Sequence, residues 1–380
     1  MEFLAVGVAI LVIFALQNYL YKKYAFSGLE YHCALSTTQA CEGDEIELIE
    51  EIRNKKWLPL PWFKSEITTS RWLDFAGAQS VVSDQTRFVP SFFMLRSHQR
   101  VVRRWKVTCL KRGEFSIDQV VLVTTDLLGF SALSMAGESG ARILVLPKPL
   151  GEDEIAVSPR YITGDIMVRR QLVADPFYIS GVREYTGREP MNLIHWNATA
   201  REQQLMVFQN DFTSRQSVTV LLNMQSTEYE QHEVTRRELI ENAIRLCAGL
   251  FDSTLAAGMP LRFMCNGTVT RGSREAVSTA EYWGREHVEG LLQILARLQL
   301  HSTEDFAVYL DGIFSEVTST DIIIVTAYMS EGLLDFASRK EQAGTNVKFL
   351  TLGAIPPRLD CSRYNVIFVD FDKEARREED

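Results

Sequence analysis

Within Val182–Arg201, VREYTGREPMNLIHWNATAR, the chain sets Arg183, Glu184, Tyr185, Gly187, Ile194, His195, Trp196, Ala200 and Arg201. Side chains of these types are costly to bury without partners. His195 beside Trp196 has the chemistry of a general base. An enzyme of hydrolase type would therefore be centred on Arg183, Glu184, Tyr185 and His195. Against it, no Ser or Cys nucleophile is implied nearby, and a lone His among aromatics is more often a hydrogen-bonded structural residue. The favoured expectation is a locked junction between two structural units. In it Trp196 is buried and Arg183, Glu184 and Arg201 form a charge-assisted network that Asp211 and Arg215 join.

Other catalytic patterns are missing from the sequence: it has no Walker A loop, G-x-S-x-G, H-E-x-x-H or G-x-G-x-x-G. Its six cysteines, Cys33, Cys41, Cys109, Cys247, Cys265 and Cys361, show no C-x-x-C and no metal-ligand spacing. Reduced thiols in a cytosolic setting are the expectation; a short Cys33–Cys41 loop is the one disulfide worth weighing. A net charge of −9 without a basic face argues against a nucleic-acid partner. Asn197-Ala198-Thr199 and Asn266-Gly267-Thr268 fit the glycosylation pattern but carry no meaning in a cytoplasmic chain.

The elements that must position these residues follow from hydrophobic period. Phe3–Leu20 is apolar except for Gln17 and Asn18, near the lower end of the roughly 17–25 residues that cross a bilayer. Tyr19, Tyr21 and Tyr24 supply an aromatic belt and Lys22-Lys23 a cationic stop, so the positive-inside rule puts the body of the chain in the cytoplasm. A cleaved signal peptide is the rival, but Glu2 precedes the apolar run and Tyr-Lys-Lys-Tyr follows it.

From about residue 30 to 147 short alternating runs suggest a β-sandwich. Ile46, Leu48 and Ile52 share one face, as do Trp105, Val107 and Cys109. Trp57–Phe63, with Pro59 and Pro61, is expected as an edge or loop, because prolines remove ladder donors. Residues 148–180 read as irregular. Beyond the signature strand and helix alternate: strands at Ser217–Leu222, Leu261–Cys265, Asp321–Thr326, Val347–Leu352 and Tyr364–Asp370, helices at Arg236–Phe251, Val288–Leu300 and Glu331–Gln342. That pattern describes a doubly wound parallel sheet. Asp372–Asp380 is a charged tail.

The segment resembles the signature of a bacterial family, domain of unknown function 58, roughly R-E-Y-x-x-G-D-x-x-R-x-I-x-W-x-x-S-A-R. Arg183, Glu184, Tyr185, Gly187, Ile194, Trp196, Ala200 and Arg201 match, while Arg188, Asn192 and Thr199 stand where the family favours Asp, Arg and Ser. Upstream, Lys111-Arg112-Gly113-Glu114-Phe115, Asp126-Leu127-Leu128-Gly129-Phe130 and Ile143–Pro147 are similar to the family's preceding elements, in the right order. The resemblance implies association with a MoxR-type AAA+ ATPase.

The α/β region in turn resembles a von Willebrand factor type A domain, whose D-x-S-x-S holds Mg²⁺ at the end of the first strand. Here Asn223, Gln225 and Thr227 stand in those places, and Ala327 where a later strand end supplies Asp. Magnesium wants carboxylate oxygen, so the site reads as degenerate, with Asn223 and Thr227 capping the loop and Met224 in ordinary packing. An intact metal-dependent adhesion module is the alternative, completed by Asp321 or Glu331.

The expectation is an α+β multidomain chain. Residues 1–26 form a transmembrane anchor, 30–147 an all-β sandwich-like domain, and 148–202 a linker with the signature. Residues 203–371 form a type A-like α/β domain and 372–380 a tail. Its expected work is protein interaction at the cell membrane, without catalysis, metal or cofactor.

Overall fold

The computed structural model describes residues 2–117, 119–129, 131–137, 139–150, 164, 179–187, 191–210, 216–230, 232–270 and 275–369. Arg188, Asp211, Arg215, most of the 148–180 linker and the 372–380 tail lie outside the described residues. The fold is α+β with an apolar N-terminal helix, and the chain divides into two compact units. One is Met1–Lys148 with Leu295–Arg297; the other is Pro149–Ile294 with Leu298–Asp380.

The first unit opens with α1, Glu2–Tyr24, a 23-residue helix with Lys22 and Lys23 in its last turn. Val6–Tyr24 is long and apolar enough to cross a membrane. Strands then follow one another to residue 146. One sheet holds β1 (Leu29–Leu35), β3 (Glu45–Asn54), β8 (Arg100–Cys109) and β5 (Leu73–Phe75), in that order. A second holds β11 (Ala132–Gly137), β10 (Gln119–Thr125), β4 (Leu60–Ser70), β7 (Thr86–Leu95) and β6 (Val81–Ser83). A third joins β2 (Gln39–Cys41), β12 (Ala141–Leu146) and β9 (Gly113–Ile117). Period-2 alternation puts Leu48, Ile52, Leu60, Ile67, Val89, Val107 and Leu122 into one buried cluster, each side chain contributing about 1.5–3 kcal/mol by its burial.

One sequence expectation fails here. The stretch containing Pro61 opens a central strand rather than an edge, since β4 lies between β10 and β7. The register slips between Leu60 and Phe63, and that bulge lets proline sit where no ladder bond is needed. β10 follows the same alternation: Val120 and Leu122 are buried while Val121 is exposed.

The inward parity of β3 also carries an unexpected residue. Glu50 shares the face of Ile46, Leu48 and Ile52 and is fully buried. Its Oε1 accepts from the Tyr31 hydroxyl (3.2 Å) and from Ser65 Oγ, and its Oε2 from Trp105 Nε1 (3.4 Å). Burial and the Glu50 charge push the neighbouring Cys33 thiol up to about 12, so it stays protonated. All six cysteines are free.

The second unit is built on a six-stranded sheet. Along the chain its strands are β15 (Val218–Leu222), β16 (Leu261–Cys265), β18 (Val277–Ser278), β20 (Asp321–Thr326), β21 (Asn346–Thr351) and β22 (Asn365–Phe368). In space the order is β18-β16-β15-β20-β21-β22, parallel throughout except for the edge strand β18. Numbered by chain position this is 3-2-1-4-5-6, the doubly wound order with its switch point between β15 and β20. Val218–Leu222 and Asp321–Thr326 are buried at every position, as expected of strands covered on both faces.

Three helices sit on this sheet's strands. The first, α3 (Arg237–Ala256), packs Phe251 edge-on to Phe263 with ring centroids 5.3 Å apart. On the alternate parity, α5 (Phe306–Gly312) and α6 (Glu331–Gln342) bury Phe306, Leu310, Leu333 and Phe336 with Leu221, Ile322, Ile324 and Phe349. The helix expected to run to Leu300 instead ends at Arg297 as α4 (Arg285–Arg297). Leu298–Ser302 becomes β19 and pairs with β17 (Gly267–Val269), a distant partner outweighing local helical period.

Candidate functional site

Ligands of open parallel sheets bind beyond the carboxyl ends of the strands at the switch point. Here that place is occupied by side chains bonded to one another. Asn223, fully buried at the end of β15, accepts from the Gln225 N–H (2.9 Å) and donates from Nδ2 to Thr326 Oγ1 (3.1 Å). Gln225 reaches across to the end of β20. Its Oε1 accepts from the Phe306 N–H (2.8 Å) and the Tyr328 hydroxyl (3.1 Å), and its Nε2 donates to the Glu230 carbonyl (2.7 Å). Asn266, which the sequence offers only as part of a sequon, is fully buried after β16. It accepts from the Met224 N–H (2.9 Å) and donates to the Glu304 carbonyl (3.0 Å).

Each of the three carboxamides thus has both ends satisfied by the protein. Burial pushes the Tyr328 phenol up to about 12, against the opposing hydrogen bond from Asn223; it remains a donor at ordinary pH. Thr227 contributes little, its carbonyl accepting weakly from the Glu230 N–H at 3.4 Å. The working hydroxyl is that of Ser226, which accepts from the Arg236 N–H (3.0 Å) and donates to Glu230 Oε1. Glu230 also accepts from the Ser226 N–H (2.6 Å) and the Thr235 N–H (2.9 Å). Burial pushes its carboxyl up, but these donors outweigh it and hold the group below the usual glutamate range.

The donor set does not fit a hard cation. Positions 223, 225 and 327 carry no carboxylate, and the amide oxygens at 223 and 225 are already committed to N–H and O–H donors. Asp305 spends Oδ1 on the Ala307 N–H (2.9 Å) at the start of α5. Asp321 cannot complete a site here, because it begins β20 at the opposite end of the strand and accepts from Asn346 Nδ2 (2.8 Å). Ala327 is buried and its backbone is crowded: a Cβ on Gly353 would fall 2.0 Å from the Ala327 carbonyl oxygen. Among the described residues no three His, Cys, Asp or Glu side chains are grouped to hold a metal ion. Above the network lies a groove of about 590 Å³ lined by Glu228, Tyr229, Glu230, His232, Glu304 and Asp305. Its carboxylates disfavour an anionic ligand.

The signature segment, part of the second unit, forms a two-stranded sheet of its own. β13 (Ile179–Glu184) pairs antiparallel with β14 (Met206–Asn210), and α2 (Trp196–Glu202) stands between them in sequence. Ile194 and Val207 are its buried anchors and form a bridge. The His195 N–H donates to the Met206 carbonyl (2.8 Å), and its Nδ1 accepts from the Ala198 N–H (3.0 Å) as the N-cap of α2. This geometry needs a neutral ring with its proton on Nε2. The ring packs on Phe208 at 4.4 Å. Gly187 turns with φ +87°, a conformation that favours glycine, and the Tyr185 N–H donates to the Leu205 carbonyl (2.8 Å).

The expectation of a buried Trp196 fails: the indole is 64% exposed. As the first residue of a seven-residue helix with no buried residues, it has no core to enter. Arg183, Glu184 and Arg201 are likewise exposed, so solvent screens any pairing among them. The two groups of candidates, 183–201 and 223–327, are held by different elements.

No family model matches the chain, and no curated protein matches it. Several solved structures are similar to about a third of it. A non-cellulosomal cohesin from Archaeoglobus fulgidus is 10% identical, with 33% of this chain and 94% of that one covered and a TM-score of 0.21. The CARDB domain of a Pyrococcus furiosus protein is 11% identical, with coverage of 32% and 96% and a TM-score of 0.21. Escherichia coli alpha-2-macroglobulin is 19% identical, with coverage of 32% and 7% and a TM-score of 0.22.

Proposed function

We propose that the chain is a membrane-anchored interaction protein, without catalytic activity of its own, and a member of the domain of unknown function 58 family. One observation carries the non-catalytic reading. At the switch point, where an open α/β sheet presents its chemistry, Asn223, Gln225 and Asn266 are bonded to Phe306, Tyr328, Thr326, Met224 and Glu304. A reacting or ligating group must be free to turn toward a ligand, and these carboxamides are buried and held at both ends by the protein's own donors and acceptors. The enzyme alternative at His195 is weakened by the same logic, since Nδ1 already caps α2. The 3-2-1-4-5-6 order with an antiparallel edge supports the type A-like reading of this sheet.

The anchor reading rests on α1, and the exposed Lys22 and Lys23 after the span favour a cytoplasmic body. The partner that the family resemblance implies is a MoxR-type AAA+ ATPase. The test is purification of the full chain from native membranes, with mass spectrometry of what accompanies it. Enrichment of such an ATPase supports the reading. Recovery of the chain alone, with hydrolytic activity that His195→Ala abolishes, overturns it in favour of the enzyme.

A further inference from the structure

The first unit carries exposed apolar side chains that its core does not explain, and they gather where α1 meets the sheet. Trp57 (65%), Trp62 (62%), Met94 (66%), Leu127 (50%) and Leu128 (58%) are all exposed. Register places Trp62, Met94, Leu127 and Leu128 at one end of the five-stranded sheet, and Trp57, whose carbonyl accepts from Ser97 Oγ just beyond β7, lies at the same end. Met94 opposes the Pro61-Trp62 bulge, between the pairs Leu60↔Leu95 and Phe63↔Phe93, and Thr124 pairs with Phe63 just before the turn holding Leu127 and Leu128.

α1 is hydrogen-bonded to that same end. Gln17 Nε2 donates to Asp126 Oδ2 (3.1 Å), Ser131 Oγ donates to Asn18 Oδ1 (2.9 Å), and the buried Tyr21 donates its hydroxyl to the Pro59 carbonyl (2.9 Å). These bonds fix the depth of the turn. A hydrocarbon core of about 30 Å takes about 20 helical residues. Between the charged Glu2 and the first of these contacts, Phe3–Leu16 offers 14 apolar residues, about 21 Å at 1.5 Å per residue. A spanning α1 must therefore use Gln17–Tyr21 as the last turn of the span, which brings whatever is bonded to those residues to the boundary between hydrocarbon and headgroups.

From this continuity between the span and the apolar rim, we infer that Trp57, Trp62, Met94, Leu127 and Leu128 seat in the bilayer interface beside α1. The occupant of this surface is lipid: tryptophan rings sit at headgroup level and the two leucines reach the acyl boundary. Lys23, which lies over the Tyr19 and Tyr24 rings at 5.8 and 5.4 Å, adds a cation at the same level. The polar Gln17 and Asn18, awkward in a span, are satisfied by the turn that they hold in place. The first unit is thus held against the membrane rather than tethered beyond it.

The inference rests on the anchor reading, and the experiment separates the two. The full chain is assembled into lipid nanodiscs made either with ordinary phospholipid or with phospholipid brominated high on the acyl chain, and tryptophan fluorescence is compared. Co-elution with the discs reports the anchor. The expected result is strong quenching by brominated lipid, with at least half of the drop lost in the Trp57→Phe, Trp62→Phe variant. Leu128→Asp, with all tryptophans retained, should also reduce quenching by loosening the rim. Protein that enters the discs but is not quenched, or whose quenching is unchanged in the double variant, overturns the inference and leaves the rim to a protein partner. Protein that elutes apart from the discs overturns the anchor and the inference together.

Discussion

Tyr328 donates its hydroxyl to Gln225 Oε1 at 3.1 Å, tying the loop after β20 to the loop after β15 across the switch point of the sheet. The same oxygen accepts from the Phe306 N–H, so one glutamine gathers three segments. Gln225→Ala should leave a buried N–H and a buried hydroxyl unpaired, and an unsatisfied buried group costs about 1–3 kcal/mol. Tyr328→Phe keeps the Phe306 bond and should cost only about 1 kcal/mol, the net worth of one hydrogen bond. Urea denaturation of both variants checks the order; a Gln225→Ala variant as stable as the wild type would contradict it.

Gly353 follows β21 closely enough to Ala327 that a methyl group would fall 2.0 Å from its carbonyl oxygen. Backbone must then move, and overpacking costs about 1–3 kcal/mol, sometimes more. Gly353→Ala should lower the melting temperature clearly, and an unchanged value would mean that the loop yields freely.

In the first unit, Glu50 supplies acceptors to Tyr31, Ser65 and Trp105 from a fully buried position. Glu50→Leu leaves donors without acceptors, at about 1–3 kcal/mol for a buried unsatisfied group. Glu50→Gln retains a carbonyl oxygen and should be the milder change. Thermal unfolding of the pair gives the comparison, and equal losses would argue against the hydrogen-bond account.

In the signature segment the exposed Trp196 should tolerate alanine, with an effect within about 0.5 kcal/mol as at ordinary surface sites. His195→Ala removes an N-cap, worth about 0.5–2 kcal/mol, while His195→Asn retains an acceptor. If Trp196→Ala proves the costlier change, the indole is packed in solution as the sequence suggests.

Glu230 links stability to pH. Its carboxyl lies below the usual glutamate range when folded, because Ser226 and Thr235 donate to it against the effect of burial. The unfolded chain then binds the proton more readily, so the stabilisation is present above the unfolded value near 4.5 and is lost as pH falls through the folded one. Denaturation midpoints measured from pH 6 downward should fall less steeply in Glu230→Gln. Parallel curves would remove Glu230 from the account.

Much of this architecture was legible because local period and burial agreed. Asp321–Thr326 and Glu331–Gln342 match their elements residue for residue, the first as an apolar run and the second by helical period. What escaped the sequence depends on partners distant along the chain. β19 exists because Gly267–Val269 lies beside it, and Pro61 is tolerated because a bulge absorbs it. The sequence points to Asn223 and Gln225, but their partners Thr326, Tyr328 and Phe306 stand 81 to 103 residues away. Glu50 was the visible omission, since its parity with Leu48 and Ile52 already pointed it inward.

If the carboxyl end of this sheet is closed by its own side chains, Mg²⁺ titration followed by thermal unfolding will find no site there. A ligand that binds only the folded state adds about 2.7 kcal/mol at one hundred times its dissociation constant. Millimolar Mg²⁺ should leave the melting temperature of the wild-type chain unchanged. A rise of several degrees that saturates with Mg²⁺ and is lost in Asn223→Ala would contradict it and restore the metal-dependent adhesion module.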